Sequence, residues 1–509
     1  MLTVAVQLQG QDFRRTVALD PYLTSVNPAA LGSISFTEVS SVEAGFAKDD
    51  GGLADISSSD DDFKASVGTE SYGRMSDRLA YHGRMSYSYF SGRNMGGSVL
   101  MDPYYNPVNF LESSPDNTGT KTREIYAVSG ALACTLGPRV SLGAGFSYES
   151  ADQVKIKDPR FRSRWSDIRF DPGIWFSCGD GWSLGLSAHC RRTLEQVLGG
   201  IYGTTDRQYF IYTDKGGFFG SEQELAGDYN YLPSSSQRPM SNSFVGASLQ
   251  AGHVGRVKFY NELKVLYRTG YYGKKASSSA CFFDFAGLDV SYDATAVVRT
   301  SESAHVVKLV ADLSTVSTIE NLFRYVTPSG QMTVVEYYGE EDLSERILCD
   351  ASLSYDMVRG IESPVPSFEA GASIEGRLCS SEMEWYPFSR SHDHASVCAD
   401  AYAAKGFGAF SAKVGASFMT GTGTEATDVV AVPATTSMKS FDNYMHRQFE
   451  YDTATRAGAA LSLRYTRFVS AKASAYIELS DSFTCLLKNP QYLYGRTRNA
   501  AVLTVGCSF

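Results

Sequence analysis

The chain has 509 residues, and its 56 acidic and 46 basic side chains give a formal net charge of −10. This acidic balance argues against nucleic acid as a partner, because phosphate backbones select basic surfaces. No stretch approaches the roughly 18 consecutive apolar residues of a membrane-spanning helix. The length therefore allows either several soluble domains or one large closed sheet.

Residues 1–10 contain a short apolar core, Leu-Thr-Val-Ala-Val, with no basic residue before it. A complete signal peptide has a basic region followed by a longer apolar core. We therefore interpret residues 1–10 as the remnant of a signal peptide or as an unstructured N-terminus.

Residues 11–37 combine prolines and turn formers with apolar side chains. Proline removes a ladder hydrogen bond, so this segment should not form a strand that faces lipid. Its apolar side chains then need either the interior of a larger structure or a partner. We expect a hatch or plug, with these candidate residues: Tyr22, Leu23, Asn27, Pro28 and Leu31.

The chain from residue 38 onward repeats a pattern of period two. Val140, Leu142 and Ala144, for example, alternate with Ser141 and Gly143. In a transmembrane barrel strand of about 9–11 residues, one parity faces lipid and the other faces a wet interior. Soluble sandwich strands are usually shorter, about 5–6 residues. The pattern predicts an all-β fold, a single antiparallel transmembrane β-barrel.

The predicted barrel occupies residues 38–509 and begins with a strand at Glu38–Lys48. Later strands are expected near 408–420, 447–466, 469–484 and 494–509. Weak alternation at 36–78 and 365–404 leaves the count at about 14–18 strands.

Charged residues fall on one parity of several strands. A charge facing lipid near the middle of the bilayer costs roughly 2–4 kcal/mol, so this parity should face the lumen. The candidate lumen residues are Lys258, Glu262, Lys264, Asp289, Asp293 and Asp350.

Connections alternate between short and long, as in barrels with periplasmic turns and extracellular loops. Long connections are expected near 93–121, 197–238, 316–344 and 421–446. The second of these is rich in aromatic residues, which could bind sugars, peptides or a partner protein, fold inward as a plug, or pack on each other and on the rim. The candidate loop residues are Tyr209, Phe210, Tyr212, Phe218 and Phe219.

The densest titratable cluster is Ser391-His392-Asp393-His394. Two histidines on one strand face can supply two metal ligands, but a polar strand end that carries two histidines accounts for the pattern more simply. The motifs of common hydrolases and nucleotide enzymes are missing. The nine cysteines form no CxxC pair, and several read as small hydrophobes. We therefore assign no catalytic, cofactor or metal residue.

The chain ends in a strand of period two that stops on an aromatic residue, Phe509. This resembles the closing strand of bacterial outer-membrane barrels, in which the terminal Phe is part of the signal that the barrel-insertion machinery reads. The resemblance makes Phe509 the candidate assembly signal. It places the protein in the outer membrane of a Gram-negative cell, in contact with lipid.

The sequence Asn27-Pro28-Ala29-Ala30-Leu31, just before the first strand, resembles the N-terminal region of the FadL-like superfamily. Residues 170–174 and 181–187 also look like its mid-barrel hairpins. That superfamily includes channels for fatty acids and aromatic hydrocarbons, in which the N-terminal segment is a hatch, and the barrel of the type IX secretion system. The tyrosine-rich strands and the length resemble outer-membrane barrels of Bacteroidota.

The resemblance implies a non-enzymatic channel or transporter for small or hydrophobic solutes. The alternative is a structural or accessory barrel that docks a surface lipoprotein, a TonB-dependent transporter or a secretion complex. The charged lumen parity suits a polar interior better than a continuous apolar conduit.

Overall fold

The computed structural model describes residues 13–103, 108–113, 117–204, 206–225, 231–233, 238–276, 278–361, 363, 365–429, 438–470 and 473–509. The interpretation of residues 1–10 therefore lies outside the described residues.

Eighteen strands form one closed antiparallel sheet. Numbered along the chain, they are β1 (Glu38–Asp50), β2 (Asp61–Arg74), β3 (Leu79–Met95), β5 (Gly119–Gly137), β6 (Val140–Lys155), β7 (Arg160–Gly179), β8 (Trp182–Gly200), β11 (Pro239–Val254), β12 (Val257–Ala276), β13 (Ser279–Arg299), β14 (Ser303–Val326), β15 (Val334–Arg359), β16 (Phe368–Trp385), β17 (Phe388–Phe407), β18 (Phe410–Asp428), β20 (Arg456–Phe468), β21 (Ser474–Leu486) and β22 (Thr497–Ser508). The strand labels also count four short strands outside this sheet, whose ranges are given below. The predicted all-β barrel is confirmed, at the upper end of the expected strand range.

The barrel closes where the last strand meets the first. Ser508 of β22 lies opposite Ser41 of β1. Just beyond this pair, the Phe509 amide donates to the Ser40 carbonyl at 2.9 Å, and the Ser40 amide donates to the Phe509 carbonyl at 2.7 Å. These bonds leave no unpaired edge at the junction, which is what closure contributes to a sheet.

The period-two pattern sorts side chains between the two faces of the wall. On β8, Leu184 and Leu186 are about half exposed on the outer surface, whereas Ser183 and Ser187 are buried inside. Successive side chains of a strand point to opposite faces, so the alternation places apolar groups outside and polar groups inside.

The two ends of the barrel differ. Both termini of the barrel share one end with short turns at 75–78, 138–139, 180–181 and 255–256. The other end carries the longest connections, 96–118, 201–238 and 429–455. The arrangement follows the predicted alternation of turns and loops, with two corrections.

The long loop expected at 316–344 is wrong, because β14 continues to Val326 and β15 begins at Val334. The pairing of β15 with β16 ends at Ser344, so this hairpin extends past its neighbour and needs no lipid-facing parity. Its side chains Phe323, Tyr325 and Val335 pack against the buried cluster at the cap end. The strand expected at 447–466 is also wrong in its first part. Residues Asp442–Thr453 form helix α2, and β20 begins only at Arg456.

The three longest connections fold together at this second end. They contribute four short strands, β4 (Asn109–Glu112), β9 (Phe210–Gly216), β10 (Phe219–Glu224) and β19 (Met438–Ser440), which pair in the order β19-β10-β9-β4. Tyr444 of α2 donates to the Glu112 carbonyl of β4 at 2.6 Å. We call β4, β9, β10, β19 and α2 the cap. Its apolar residues pack on inward side chains of the wall, including Met240, Tyr272 and Phe285.

The described part of the N-terminal segment, residues 13–37, lies inside the opposite end of the barrel. It contains helix α1 (Phe13–Ala18) and a 3-10 helix at Pro28–Ser33. Among the described residues, no helix is both long enough and apolar enough to cross a membrane.

Candidate functional site

The candidate hatch residues lie against the inner wall. Tyr22, Leu23, Asn27, Pro28 and Leu31 are all buried. The Tyr22 ring meets Trp175 and Tyr260 edge-on, with centroids 5.6 and 5.7 Å away. The segment therefore occupies a fixed position against the inner wall, which we call its seat. Its action as a hatch stays a prediction.

Asn27 is the polar anchor of this seat. Its side-chain amide donates to the Ile174 carbonyl at 3.0 Å and to Gln250 Oε1 at 2.9 Å. Its Oδ1 accepts from the Ala29 amide at 3.0 Å and caps the 3-10 helix. All of these bonds form away from bulk water, where leaving such groups unpaired would be costly.

Glycines of the wall make room for the segment. A Cβ at Gly173 would lie 2.1 Å from Asn27 Oδ1, and one at Gly143 would lie 2.3 Å from the Ala29 nitrogen. Glycine within a strand often marks the close approach of another backbone. The 3-10 helix packs against the wall only because these positions lack side chains.

A row of buried polar side chains is linked to Asn27 through Gln250, which hydrogen-bonds to both Asn27 and Ser248. Asp171 Oδ1 lies 2.7 Å from His189 Nδ1, and His189 Nε2 lies 2.7 Å from the Ser248 hydroxyl. This is the connectivity of a hydrolase triad. However, Ser248 is 1% exposed, and its hydroxyl also contacts Ser187 and Gln250. A nucleophile needs access to its substrate, so we assign Asp171, His189 and Ser248 a role in positioning Gln250 and Asn27.

The six candidate lumen residues belong to the inner face of the wall. Lys258 pairs with Asp20 of the N-terminal segment at 2.6 Å, and Glu262 accepts from the Val26 amide at 3.2 Å. The four remaining members have neighbours along the wall. Lys308 pairs with Asp293, Arg377 with Asp350, Ser314 donates to Asp289, and Lys264 interacts electrostatically with Glu262.

Part of the lumen is open. Lys64, Arg84, Asp400 and Lys413 have inward parity yet are exposed. Beside α1 lies a cavity of about 380 Å³, whose lining includes Arg14, Tyr402, Lys413, Arg464 and Glu478. The Lys413 ammonium sits 3.6 Å from the centre of the Tyr402 ring. Water-accessible charges therefore line the lumen on the side that the N-terminal segment leaves uncovered.

The candidate loop aromatics lie in the cap instead of on an exposed surface. Tyr209 and Phe219 are buried, while Phe210, Tyr212 and Phe218 are half-buried. Tyr212 stacks on Phe441 with a centroid distance of 4.2 Å. Tyr209 and Phe219 pack inward, because the loop forms β9 and β10 and turns toward the wall. Ligand binding by these rings stays a prediction.

A second cavity, of about 410 Å³, lies between the cap and the wall. We call it the cap cavity. Its lining residues are Asp55, Ile56, Pro103, Asn109, Asp214, Gly217, Phe218, Arg346, Leu348, Arg377, Cys379, Ser381, His392, His394, Gln448, Tyr451 and Asp452.

The two histidines of the sequence cluster both line this cavity. His392 Nδ1 lies 2.6 Å from the Glu425 carbonyl, and a carbonyl can only accept. The neutral His392 ring then accepts at Nε2 from His394 Nδ1, 3.3 Å away. This assignment leaves His394 Nε2 as an acceptor, 3.7 Å from Asp452 Oδ2. Within the described part of the chain, no group of three or more His, Cys, Asp or Glu residues is arranged to hold a metal ion.

The charges of the cap cavity are separated by sign. Arg346 and Arg377 project from the wall strands β15 and β16, whereas Asp55 and Asp452 come from the 51–60 connection and from α2. Burial raises the pKa of Asp452 to about 6, although Gln448, Arg377 and Arg456 oppose that shift. Burial likewise raises the pKa of Asp214 to about 7, against backbone hydrogen bonds that favour its charged form.

Sequence reasoning did not identify Asp55, Arg346 or Asp452 as site residues. Asp55 sits between two strands, and Asp452 belongs to a segment expected to be a strand. The composition Asp-Asn-Tyr-Met-His-Arg-Gln at 442–448 lacks alternation and could have indicated the helix. The 51–60 connection, strand β15 and helix α2 meet only in the folded chain, and this brings the three residues together.

The candidate assembly signal Phe509 completes the closing strand pair, and its ring is about half exposed. Its recognition by insertion machinery stays a prediction. All nine cysteines are free thiols.

A family model described as "Family of unknown function (DUF6850)" matches residues 28–509. The chain belongs to this family. The matched region includes the 3-10 helix of the N-terminal segment, every barrel strand and the cap. No curated protein matches the sequence.

Several solved structures are similar in shape at low sequence identity. A FadL homologue from Pseudomonas aeruginosa is 11% identical, with 99% of this chain and 95% of that chain covered and a TM-score of 0.33. The ferric preacinetobactin receptor BauA from Acinetobacter baumannii is 7% identical, with coverages of 93% and 80% and a TM-score of 0.39. A mutant of the ferric enterobactin receptor PfeA from Pseudomonas aeruginosa is 8% identical, with coverages of 93% and 81% and a TM-score of 0.40.

Proposed function

We propose that the chain is a non-enzymatic outer-membrane barrel that passes small polar solutes. In this proposal the lumen is controlled by the N-terminal segment at the periplasmic end and by the cap at the extracellular end. The observation that carries the proposal is the division of the wall into an apolar outer face and a polar inner face that is partly open to water.

The outer face supports a membrane location. Large apolar side chains are exposed around the whole barrel, for example Phe46, Leu142, Leu249, Leu353 and Leu463. Soluble proteins rarely expose apolar patches of more than a few hundred Å². A bilayer removes these side chains from water, and a closed barrel satisfies every backbone group within it.

The asymmetry of the two ends supports the orientation. Both termini and the short turns share one end, and the longest connections share the other. Outer-membrane barrels place short turns in the periplasm and longer loops outside the cell. This orientation would put the N-terminal segment at the periplasmic mouth and the cap at the cell surface.

The lumen favours polar over hydrophobic solutes. Charged side chains such as Lys64, Arg84, Asp400 and Lys413 meet the open part of the interior. An apolar solute passing them would strip water from these charges, and transfer of an unpaired charge out of water is expensive. Solutes that carry their own polar groups avoid this cost.

Conductance in planar bilayers tests the proposal. The intact chain should show a small conductance, because both ends of the lumen are obstructed. Removing residues 11–32 should raise it, because the seat of the 3-10 helix would be vacated while the barrel strands remain. Arg324→Gln, in an exposed hairpin that leaves the lumen intact, is the control for preparation effects. A truncated barrel that conducts no better than the intact one would contradict the proposal.

The second candidate is an accessory barrel that docks a surface lipoprotein, a TonB-dependent transporter or a secretion complex. The observation that favours it is the cap, which fastens three long connections into a rigid surface with buried ion pairs such as Lys215–Glu320, at 2.6 Å. Co-purification of one stoichiometric partner from native outer membranes, together with an unchanged conductance after truncation, would favour this alternative.

A further inference from the structure

We propose that the cap cavity binds a small zwitterionic solute with an apolar side group, of the size of an amino acid or a dipeptide. The inference rests on the proposed transport function and names the class of solute. It depends on three features of the cavity: positive and negative groups in one lining, the unused hydrogen-bonding capacity of Arg377 and Asp452, and an apolar part of the lining.

The wall side offers a carboxylate site. Arg377 donates from Nε to Asp350 at 2.7 Å, and its side chain is about half exposed. In the described part of the chain that is its only hydrogen bond, so its terminal nitrogens have no protein acceptor there, and the residue lines the cavity. Arg346 adds a second positive charge to the same lining. A guanidinium binds a carboxylate with matched, directional donors.

The cap side offers an ammonium site. Asp452 accepts from Gln448 Nε2 at 3.0 Å through Oδ2, and its side chain keeps some exposure to the cavity. His394 Nε2, left as an acceptor by its tautomer, lies 3.7 Å from the same oxygen. Asp55 adds a further carboxylate to this side. An ammonium has three donors and no acceptor, so it matches such a set.

Arg377 of the wall and Asp452 of the cap line the same cavity. Arg377 and Asp452 influence each other electrostatically, yet they form no ion pair among the described residues. A ligand with both charges could complete both halves, whereas a simple anion would meet Asp55 and Asp452, and a simple cation would meet both arginines. Ile56, Phe218 and Leu348 supply an apolar part of the lining for the side group.

Calorimetry on the purified full chain in detergent tests the proposal with the dipeptide Gly-Phe as the probe. N-acetyl-Gly-Phe lacks the ammonium, and Gly-Phe amide lacks the carboxylate. Each blocked form leaves one charged group of the cavity without its partner, so it should bind roughly tenfold or more weakly than Gly-Phe. Binding of either blocked form as tight as that of Gly-Phe would overturn the zwitterion assignment.

Two variants locate the site. Arg377→Gln should weaken the binding of Gly-Phe roughly tenfold but leave the binding of Gly-Phe amide nearly unchanged, because the amide has no carboxylate. Asp452→Asn should likewise weaken the binding of Gly-Phe roughly tenfold but leave the binding of N-acetyl-Gly-Phe nearly unchanged, because that form has no ammonium. Asp442→Asn, in the exposed first turn of α2, and Arg359→Gln, exposed at a barrel end, are the matched controls and should bind Gly-Phe as the parent does. Circular dichroism checks that each variant is folded. The inference would be overturned if the control variants lost as much affinity for Gly-Phe as Arg377→Gln and Asp452→Asn. It would also be overturned if the folded parent did not bind Gly-Phe at a concentration of about 10 mM.

The two proposals fail separately. If Gly-Phe does not bind but removal of residues 11–32 raises the conductance, the barrel is a channel and the assignment of the cap cavity is wrong. If Gly-Phe binds with the expected dependence on both charges while the truncation leaves conductance unchanged, the cap cavity is a binding site on a barrel that does not conduct.

Discussion

Individual side chains fix the cap to the wall. Lys215 of β9 lies within 2.8 Å of both Glu320 carboxylate oxygens, and Tyr231 donates to the same carboxylate at 2.7 Å. Lys155 of β6 pairs with Glu112 of β4, and both side chains are almost fully buried. Removing one member of such a pair costs about 3–5 kcal/mol, because the other charge stays buried. The cap is therefore a fixed part of the fold, and solutes should pass beside it.

Asp452 gives the cap cavity a pH dependence. Burial raises its pKa to about 6, with Asp55 adding to the shift and Gln448, Arg377 and Arg456 opposing it, while His394 also faces it. The carboxylate is mostly ionised at pH 7 and mostly protonated at pH 5, so its attraction for an ammonium is lost as the pH falls. We expect Gly-Phe to bind roughly tenfold more weakly at pH 5 than at pH 7.

Calorimetry at the two pH values measures this change. Over this range the dipeptide keeps both of its charges, so the dependence belongs to the protein. The Asp452→Asn variant should bind weakly at both pH values and lose most of the dependence. A variant that kept the full dependence would move its source to another group of the lining, such as Asp214.

At the scale of elements, the seat of the N-terminal segment depends on glycines of the wall. Gly173→Val would drive a side chain into Asn27, where even a Cβ would lie 2.1 Å from Oδ1. Overpacking of this kind costs about 1–3 kcal/mol, so the segment should leave its seat more often. Limited trypsin digestion should then cut faster at Arg14 and Arg15 than in the parent.

Gly376→Val is the matched control, since no heavy atom lies within 4 Å of the position of its Cβ. It adds the same side chain to a strand of the same barrel and should leave the digestion rate unchanged. Equal rates for Gly173→Val and the parent would show that the segment is held by contacts other than the 3-10 helix.

Most barrel strands were predictable because each repeats a local rule, and only the weakly alternating regions 36–78 and 365–404 left the strand count open. Alternation at Val140–Glu149 fixes which side chains face outward, and tight turns such as 180–181 fix which strands pair. The cap was not predictable in this way. Its strands are three to seven residues long and come from three connections, so no local period marks them. Its cavity depends on contacts between residues distant in the chain, such as the hydrogen bond from Arg447 to the Asp55 carbonyl at 2.9 Å.

At the scale of the whole molecule, two obstructions of different character lie at the two ends of one lumen. The N-terminal segment rests on glycines of the wall and on the hydrogen bonds of Asn27. The cap is tied to the wall through three connections and buried ion pairs. Of the two, the N-terminal segment is the one that can leave its seat without unpairing a barrel strand.

The proposed orientation of the barrel rests on the placement of the termini and short turns at one end and of the longest connections at the other. Met332, in the connection between β14 and β15, is 79% exposed at the end that carries the cap, and Val469, in the turn between β20 and β21, is 69% exposed at the end that holds the termini. If the cap faces the cell exterior, a membrane-impermeant maleimide should label Met332→Cys in intact cells. It should label Val469→Cys only after permeabilisation. The native cysteines must first be replaced by alanine, because several lie exposed on the barrel. The reverse labelling pattern would place the termini outside the cell, and the N-terminal segment would then obstruct the extracellular mouth instead of the periplasmic one.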